Sequence, residues 1–397
     1  MIVISIKILW SVYETHVSSM DIIAKKYIES LEKLKADIYV NCKSGDEDYY
    51  LRNTENFKLP PKLDFNFEIS TVSTSGPSND GPHYSNSNWL PKTLPSTVRI
   101  ACTPVDTTSV AQWSPTLGNY ITQIKNERVT MIFTPSNFCR DVLLTYDNLS
   151  VSKDNIKVIP FGINENIKYY NRPKKKKFTF LNVGVSHYRK GTDFIIDAYC
   201  TAFPKPENTR LIIKDHPPMY DGGWQGSKYS KGNSIIDTQL TEERKKRGDI
   251  IYIADMLDEK ELLNLYYNAD CYLSPHRGGS WELNTSDAMA SGLPCIVTDW
   301  AGTTEYCNSE NSYPMRYEIV PVNGKWYADA RWAEPDKYHF VELMRHVYEH
   351  PKEAREKGKI ASDFLLKNFT WEQSAKKILD VLTNHKPKVN VQEFPWA

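Results

Sequence analysis

The sequence lacks several features that would settle its class at once. It has seven cysteines (Cys42, Cys102, Cys139, Cys200, Cys271, Cys295 and Cys307), an odd number with no Cys-x-x-Cys pair. That pattern offers neither a disulfide framework nor a structural zinc site, and it suits a reducing, cytoplasmic compartment. No stretch reaches the ~18 consecutive apolar residues of a membrane-spanning helix. The apolar start from Ile2 to Trp10 is short and carries Lys7. It has no basic lead or small-residue cleavage site of a signal peptide, so it reads as a buried strand. Net charge is missing too, since 49 Lys and Arg balance 49 Asp and Glu. Nucleic acid and anionic membranes are therefore not expected partners, and any recognition of phosphate must come from a local site. No repeat of about 20–50 residues is visible.

What is present is an alternation of short apolar runs with amphipathic stretches, the pattern of an α/β protein. At 397 residues the chain has room for two domains. The first half predicts strands at Val3–Leu9, Ala36–Asn41, Val98–Thr103, Thr130–Thr134 and Lys157–Ile159, with a helix over Met20–Lys35. Residues 69–96, rich in Ser, Pro, Asn and Gly, read as a long surface loop. The basic run Arg172–Lys177 contains Pro173 and reads as a solvated hinge between domains. The second half predicts strands at Phe178–Val185, Arg210–Lys214, Ile250–Ile253, Cys271–Ser274 and Pro294–Thr298. Helices are expected at Thr192–Thr201, Asp258–Asn268 and Thr285–Ser291, and then at Pro335–Glu349, Lys352–Lys367 and Trp371–Leu382. The expected division is 1–170, 171–370, and a helix and tail over 371–397 that crosses back onto the first domain.

Two segments carry chemistry. In the first, Leu181-Asn182-Val183-Gly184 ends a buried strand, and His187-Tyr188-Arg189-Lys190-Gly191 follows before a helix. In a doubly wound sheet, ligands bind beyond the carboxyl ends of the strands, so Arg189 and Lys190 can meet a diphosphate there. The other reading is an exposed basic turn. The second segment runs from Ser274 through His276-Arg277-Gly278-Gly279-Ser280-Trp281-Glu282-Leu283-Asn284 into Thr285-Ser286-Asp287-Ala288-Met289-Ala290-Ser291-Gly292-Leu293-Pro294. Its small residues let a helix pack closely on the sheet, and free N–H groups in its glycine loop could cradle phosphate or sugar hydroxyls.

Together these segments resemble the signatures of retaining glycosyltransferase family 4. The Arg-Lys-Gly turn resembles the donor-diphosphate site, and Asp287–Pro294 resembles the family's Glu-Ala-Met-Ala-x-Gly-x-Pro. Pro135-Ser136-Asn137-Phe138 and Val158–Asn164 resemble landmarks at the end of the first domain, and Tyr252–Tyr266 resembles the elements that hold the base. The likeness runs over roughly residues 98–385 and suggests a member encoded by a large DNA virus of the chlorovirus kind, acting in host cytoplasm. It implies a GT-B fold, two Rossmann-like doubly wound α/β domains facing a central cleft.

It also implies a retaining, metal-independent transfer of a hexose, mannose favoured, from a nucleotide-diphosphate sugar to a glycan or other hydroxyl acceptor. Arg189, Lys190 and Asp106 are the expected catalytic residues. Gly184, Ile253, Met256, Gly279, Ser280, Trp281, Glu282, Leu283, Asn284 and Asp287 are expected to join the two cations in binding the donor, with Asp287 on the ribose. No cofactor is implied beyond the substrate, with GDP-mannose favoured over UDP-sugars, and a homodimer is the default.

The departures are specific. Gly279 stands where the family has the glutamate that touches the donor sugar, and Glu282 stands at a glycine position. Val185 replaces a frequent arginine, and Ser11–Ser19 replaces a glycine-rich loop. Asp106 reads equally as a turn-capping aspartate, His83 as a loop residue or an acceptor contact, and Asp46, Glu47 and Asp48 as solvated charge. Two alternatives stay open: a nucleotide-sugar epimerase on the same fold, and a catalytically weak sugar-nucleotide binding module.

Overall fold

The computed structural model describes residues 6–12, 19–42, 65–71, 97–109, 120–126, 128–173, 175–206, 208–215, 235–322 and 330–385. His83, Asp46, Glu47, Asp48, residues 72–96 and the tail from 386 lie outside them.

The first sheet is built from β1 (Lys7–Val12), β2 (Asp37–Cys42), β3 (Phe67–Thr71), β4 (Val98–Cys102), β5 (Met131–Thr134) and β6 (Ile156–Val158), in the order β2-β1-β3-β4-β5-β6. Every neighbouring pair is parallel. Parallel strands are covered on both faces, which is why they read as apolar runs. Helices α1 (Ser19–Lys33), α2 (Tyr120–Asn126) and α3 (Asn137–Leu144) belong to this half. In α1, Ile23, Ala24, Tyr27, Ile28 and Leu31 recur at helical spacing and are all buried.

The second sheet comprises β7 (Phe178–Val183), β8 (Thr209–Lys214), β9 (Ile250–Ile253), β10 (Cys271–Ser274), β11 (Cys295–Thr298) and β12 (Tyr313–Met315). Its order, β12-β11-β10-β7-β8-β9, is that of the dinucleotide-binding fold, with the switch between β7 and β10. Its helices are α4 (Ile195–Ala202), α5 (Ile235–Gln239), α6 (Glu242–Lys246), α7 (Glu259–Asn268) and α8 (Leu283–Ala290). An antiparallel ribbon, β13 (Tyr317–Pro321) with β14 (Arg331–Pro335), follows. Then come α9 (Lys337–Glu349), α10 (Pro351–Asn368) and α11 (Trp371–Asn384).

Helix α11 begins in a capping box between Thr370 and Gln373. It then packs on the first sheet's side of the molecule. Trp371 meets Tyr27 of α1 edge to face at 5.2 Å, and Ser374 Oγ donates to the Pro160 carbonyl at 2.7 Å. Trp371, Ala375, Ile378 and Leu382 share a buried cluster with Ile23, Tyr27 and Ile28.

Several expectations need correction. Strand β1 runs on to Val12, so Ser11 belongs to the strand rather than to a loop. Strand β3 takes residues 67–71, so 69–71 belong to a strand rather than to a loop, and the ribbon β13–β14 adds two strands to those expected. Within the expected hinge Arg172–Lys177, Pro173 and Lys176 are exposed but Arg172 is not solvated. Its guanidinium is buried and donates to the carbonyls of Ala269, Tyr170, Ser291 and Tyr266 and to Ser291 Oγ, at 2.9–3.1 Å. Helix α4 starts at Ile195 rather than Thr192, so Arg189 and Lys190 lie on a separate turn before it.

Candidate active site

Strands β7 and β10 are neighbours in the sheet although about 90 residues separate them in sequence. The loops leaving their carboxyl ends meet in the switch-point crevice. Gly184 ends β7, its N–H donating to the Lys214 carbonyl at 3.0 Å. The chain then forms a single 3-10 turn over Tyr188–Lys190. His187 caps this turn, its Nδ1 accepting from the Arg189 N–H at 3.0 Å. Burial, with help from Arg189, Lys190 and Arg277, pulls the His187 pKa down to about 3, so the ring is a neutral acceptor. Gly191 closes the turn at φ +69, with its backbone so close to β10 that a Cβ would lie 1.9 Å from the Pro275 carbonyl oxygen. Only glycine fits there.

Arg277 locks the same turn from below. It is 1% exposed and forms paired bonds with Asp193 at 2.6 and 3.0 Å and with Glu334 at 2.5 and 2.8 Å. Its guanidinium lies 3.6 Å from the Tyr188 ring centroid, and its backbone N–H donates to the Arg189 carbonyl at 2.6 Å. Planar, bidentate geometry of this kind suits arginine and not lysine. The two cations are therefore presented by a rigid support.

Above that support, four charged side chains meet. Lys190 Nζ donates to both oxygens of Glu282 at 2.7 and 2.6 Å. Arg189 Nη1 donates to the Gly278 carbonyl at 2.7 Å, and stands 3.5 Å from Glu282 and 3.7 Å from Asp106. Burial alone would raise the Glu282 pKa, but Lys190, His276 and Arg189 outweigh it and hold it at about 2. Glu282 is thus a buried carboxylate, ionised throughout the working range. Its backbone is left-handed at φ 66, which costs roughly 1–2 kcal/mol in a residue other than glycine. Its carbonyl accepts from the N–H groups of Thr285 and Ser286 as α8 begins.

Asp106 arrives from the loop after β4 of the first sheet. Its carboxylate accepts from the Ser280 N–H at 3.0 Å, so the glycine loop is held from across the cleft. Further bonds join the halves. Thr108 and Arg331 exchange two, of 2.8 and 3.1 Å, and Glu305 accepts from the Asn137 N–H at 2.6 Å and from its side-chain amide at 2.9 Å. A carboxylate facing the first N–H groups of α3 suits the helix dipole.

Asp287 contrasts with Glu282. It sits one turn into α8 and forms no salt bridge among the described residues. It accepts from the Asn164 backbone N–H at 2.9 Å, yet burial pushes its pKa up to about 7. His276 was passed over in the sequence although it stands inside the second motif. It is buried, its Nε2 lies 3.1 Å from Thr303 Oγ1, its Nδ1 has no partner among the described residues, and it lines the crevice beside Lys190 and Glu282.

Residues 177–323 match the family described as glycosyl transferases group 1. The likeness to a group 1 glycosyl transferase domain thus covers the second sheet. Among curated proteins, a probable sucrose-phosphate synthase of Thermosipho melanesiensis is 25% identical over 254 residues, covering 61% of this chain and 50% of that protein. A mannosylfructose-phosphate synthase of Agrobacterium fabrum is 21% identical over 271 residues, covering 65% and 53%. The chain spans about half the length of these curated relatives. Of the solved structures, a glycosyltransferase from Rickettsia africae superposes with a TM-score of 0.63 at 12% identity, covering 96% of this chain and 98% of that one. Anabaena HepE in complex with UDP-glucose also gives 0.63, at 11% identity, covering 96% and 100%. The fold is GT-B, two Rossmann-like α/β domains.

Within the matched region, Gly184, Arg189, Lys190, Gly279, Ser280 and Glu282 gather at one crevice, and Asp106 joins them from the first sheet's side. Asn284 closes its floor, its amide donating to the Val183 carbonyl at 3.1 Å, and Leu283 opens α8 half-buried beside it. Trp281 needs correction. It is 1% exposed and packs against Tyr306 and Phe369, so it builds the core under the loop and does not face a ligand. Ile253 ends β9 and Met256 lies beyond it, 62% exposed, two strand spacings or about 10 Å along the sheet from β7. The structure does not bring them to the cations. Arg277 had no recognisable signal in the sequence, because its partners lie 84 and 57 residues away.

Proposed function

We propose that this chain is a glycosyltransferase that moves a hexose from a nucleoside-diphosphate sugar to a hydroxyl acceptor with retention of configuration. The observation that carries the reading is the placement of Arg189 and Lys190 on a braced turn at the switch point of the sheet that resembles a group 1 glycosyl transferase domain. In this reading the two cations hold the diphosphate and stabilise the charge that grows on it as the glycosidic bond breaks. They supply the positive charge that a metal ion would otherwise provide. The ionised Asp287 accepts from the ribose hydroxyls, and the base lies toward Ile253 and Met256 at the carboxyl end of β9. The departing phosphate takes the acceptor's proton on the same face of the sugar, so no enzymatic nucleophile is needed. Asp106, next to Arg189 on the opposite wall, faces the acceptor side.

The donor is a hexose nucleotide, with GDP-mannose the first to test. UDP-glucose is the second, supported by the likeness to HepE in complex with UDP-glucose. The curated relatives are named for sugar-phosphate products, which supports a sugar hydroxyl as acceptor. The test is product formation with each donor and a panel of sugar and sugar-phosphate acceptors. Transfer that falls by more than tenfold, about 1.4 kcal/mol, in Lys190→Ala is the expected result. A smaller loss overturns the assignment. A binding module without turnover is the second reading. It is favoured by the missing side chain at Gly279 and by the engagement of Lys190 with Glu282. Saturable donor binding with no product from any acceptor would select it.

A further inference from the structure

The group assigned to the diphosphate already holds an anion. Lys190 is bonded to both oxygens of Glu282, and Arg189 stands between Glu282 and Asp106. Two cations and two carboxylates make a cluster with no net charge. A diphosphate entering it gains little attraction until a resident carboxylate lets go. Asp106 is additionally held by the Ser280 N–H, whereas among the described residues the Glu282 side chain bonds to the two cations alone.

The position of Glu282 depends on a second residue. A Cβ built on Gly279 would lie 2.2 Å from Glu282 Oε1 and 2.9 Å from its Cγ and Cδ. The carboxylate occupies the volume that a side chain at 279 would need. The left-handed backbone at Glu282 turns its side chain back over the loop toward that volume. Glycine at 279 and glutamate at 282 form one device.

We infer that Glu282 is an internal competitor of the diphosphate for Arg189 and Lys190, seated in the space left by Gly279, and that it weakens the site's hold on nucleoside diphosphate so that the product can leave. The inference rests on the donor-site reading above. When donor binds, the carboxylate swings off the cations. When the sugar has gone, it returns and displaces the nucleoside diphosphate by competing for the same two N–H donors. No bond is made or broken in this exchange.

Calorimetric titration with UDP and with GDP tests it, using the wild type, Glu282→Gln and Gly279→Ala. The glutamine keeps the shape and removes the charge. The alanine methyl would lie within 3 Å of Glu282 Oε1, Cδ and Cγ, so the side chain must rotate away while keeping its charge. Both variants are expected to bind whichever diphosphate the wild type binds about tenfold more tightly, an order of magnitude typical of coupling between sites. Unchanged or weaker binding in a variant that unfolds at the wild-type temperature overturns the inference and leaves the donor site standing. Weaker binding by Glu282→Gln would instead mark Glu282 as a ligand contact. Failure of all three proteins to bind either diphosphate overturns the donor-site reading and the inference with it.

Discussion

Both halves of this molecule are six-stranded parallel sheets whose loops open on a common cleft, yet their strand ends are furnished differently. At the carboxyl ends of β1, β4 and β5 the lining is mostly apolar, with Trp10, Tyr27, Phe133 and Phe161 around Thr103 and Thr134. At the ends of β7 and β10 it is polar, with Asn182, Lys190, Ser274, His276 and Glu282. The same architecture thus ends in a closed aromatic core on one side and a charged crevice on the other. A charged crevice suits a diphosphate. One charged group of the first half, Asp106, reaches over to the second.

The halves also differ in what holds them together, and the largest expected effect exploits this. The first sheet relies on α11, which the chain supplies last. Deleting residues from 371 onward strips Trp371, Ala375, Ile378 and Leu382 from that core. At about 1.5–3 kcal/mol for each large side chain, the first half should lose on the order of 5 kcal/mol. Hydrogen exchange should show β1 and α1 opening before β7 and β10. Equal protection in both halves would break the comparison.

In the second half the corresponding keystone is polar. Arg277→Met leaves Asp193 and Glu334 without their shared cation. Breaking such a buried network should cost about 3–5 kcal/mol, read as a lowered unfolding midpoint. A smaller step is Lys190→Ala. It should leave the fold in place while reducing transfer by about a hundredfold or more, the range for loss of one charge-stabilising donor.

The smallest effect contrasts two acids of the same crevice. Glu282 is held at about 2 and does not titrate in the working range, whereas Asp287 is raised to about 7 by burial. A carboxyl whose folded pKa lies above its unfolded value, about 3.9, binds its proton more tightly when folded. Asp287 therefore takes stability away as pH rises from about 4 to about 7, and Asp287→Asn should flatten that part of the stability profile. If ionised Asp287 accepts the ribose hydroxyls, nucleotide affinity should fall about tenfold per pH unit below 7 in the wild type and be insensitive to pH in the variant. The two slopes have opposite signs, so measuring both separates a ligand contact from a merely buried acid.

Legibility in the sequence followed the same divide. The strands of the second sheet are readable because burial on both faces demands apolar runs, and Leu211–Ile213 and Cys295–Val297 supply them. Strand β3 was not readable, since Phe67-Glu68-Ile69-Ser70 carries a charge that looks like surface. Glu68 is in fact buried and matched by Arg99 at 3.2 Å and the Ser11 hydroxyl at 3.2 Å. The burial of Arg172 is equally invisible in the sequence, because the carbonyls of Tyr266, Ala269 and Ser291 reach it from α7 and from the ends of α7 and α8. The cations and Glu282 were visible as motif residues. Their mutual pairing was not, since it depends on the register of β7 against β10 and on a left-handed residue that sequence spacing does not reveal.

The central claim is that the β7–β10 crevice is a nucleotide-sugar site built on Arg189 and Lys190. Calorimetric titration with GDP-mannose and UDP-glucose tests it directly, on the wild type and on Lys190→Ala. The account predicts saturable binding of one donor by the wild type and its loss in the variant. Equal binding by both proteins, or binding of neither donor by the wild type, would contradict it.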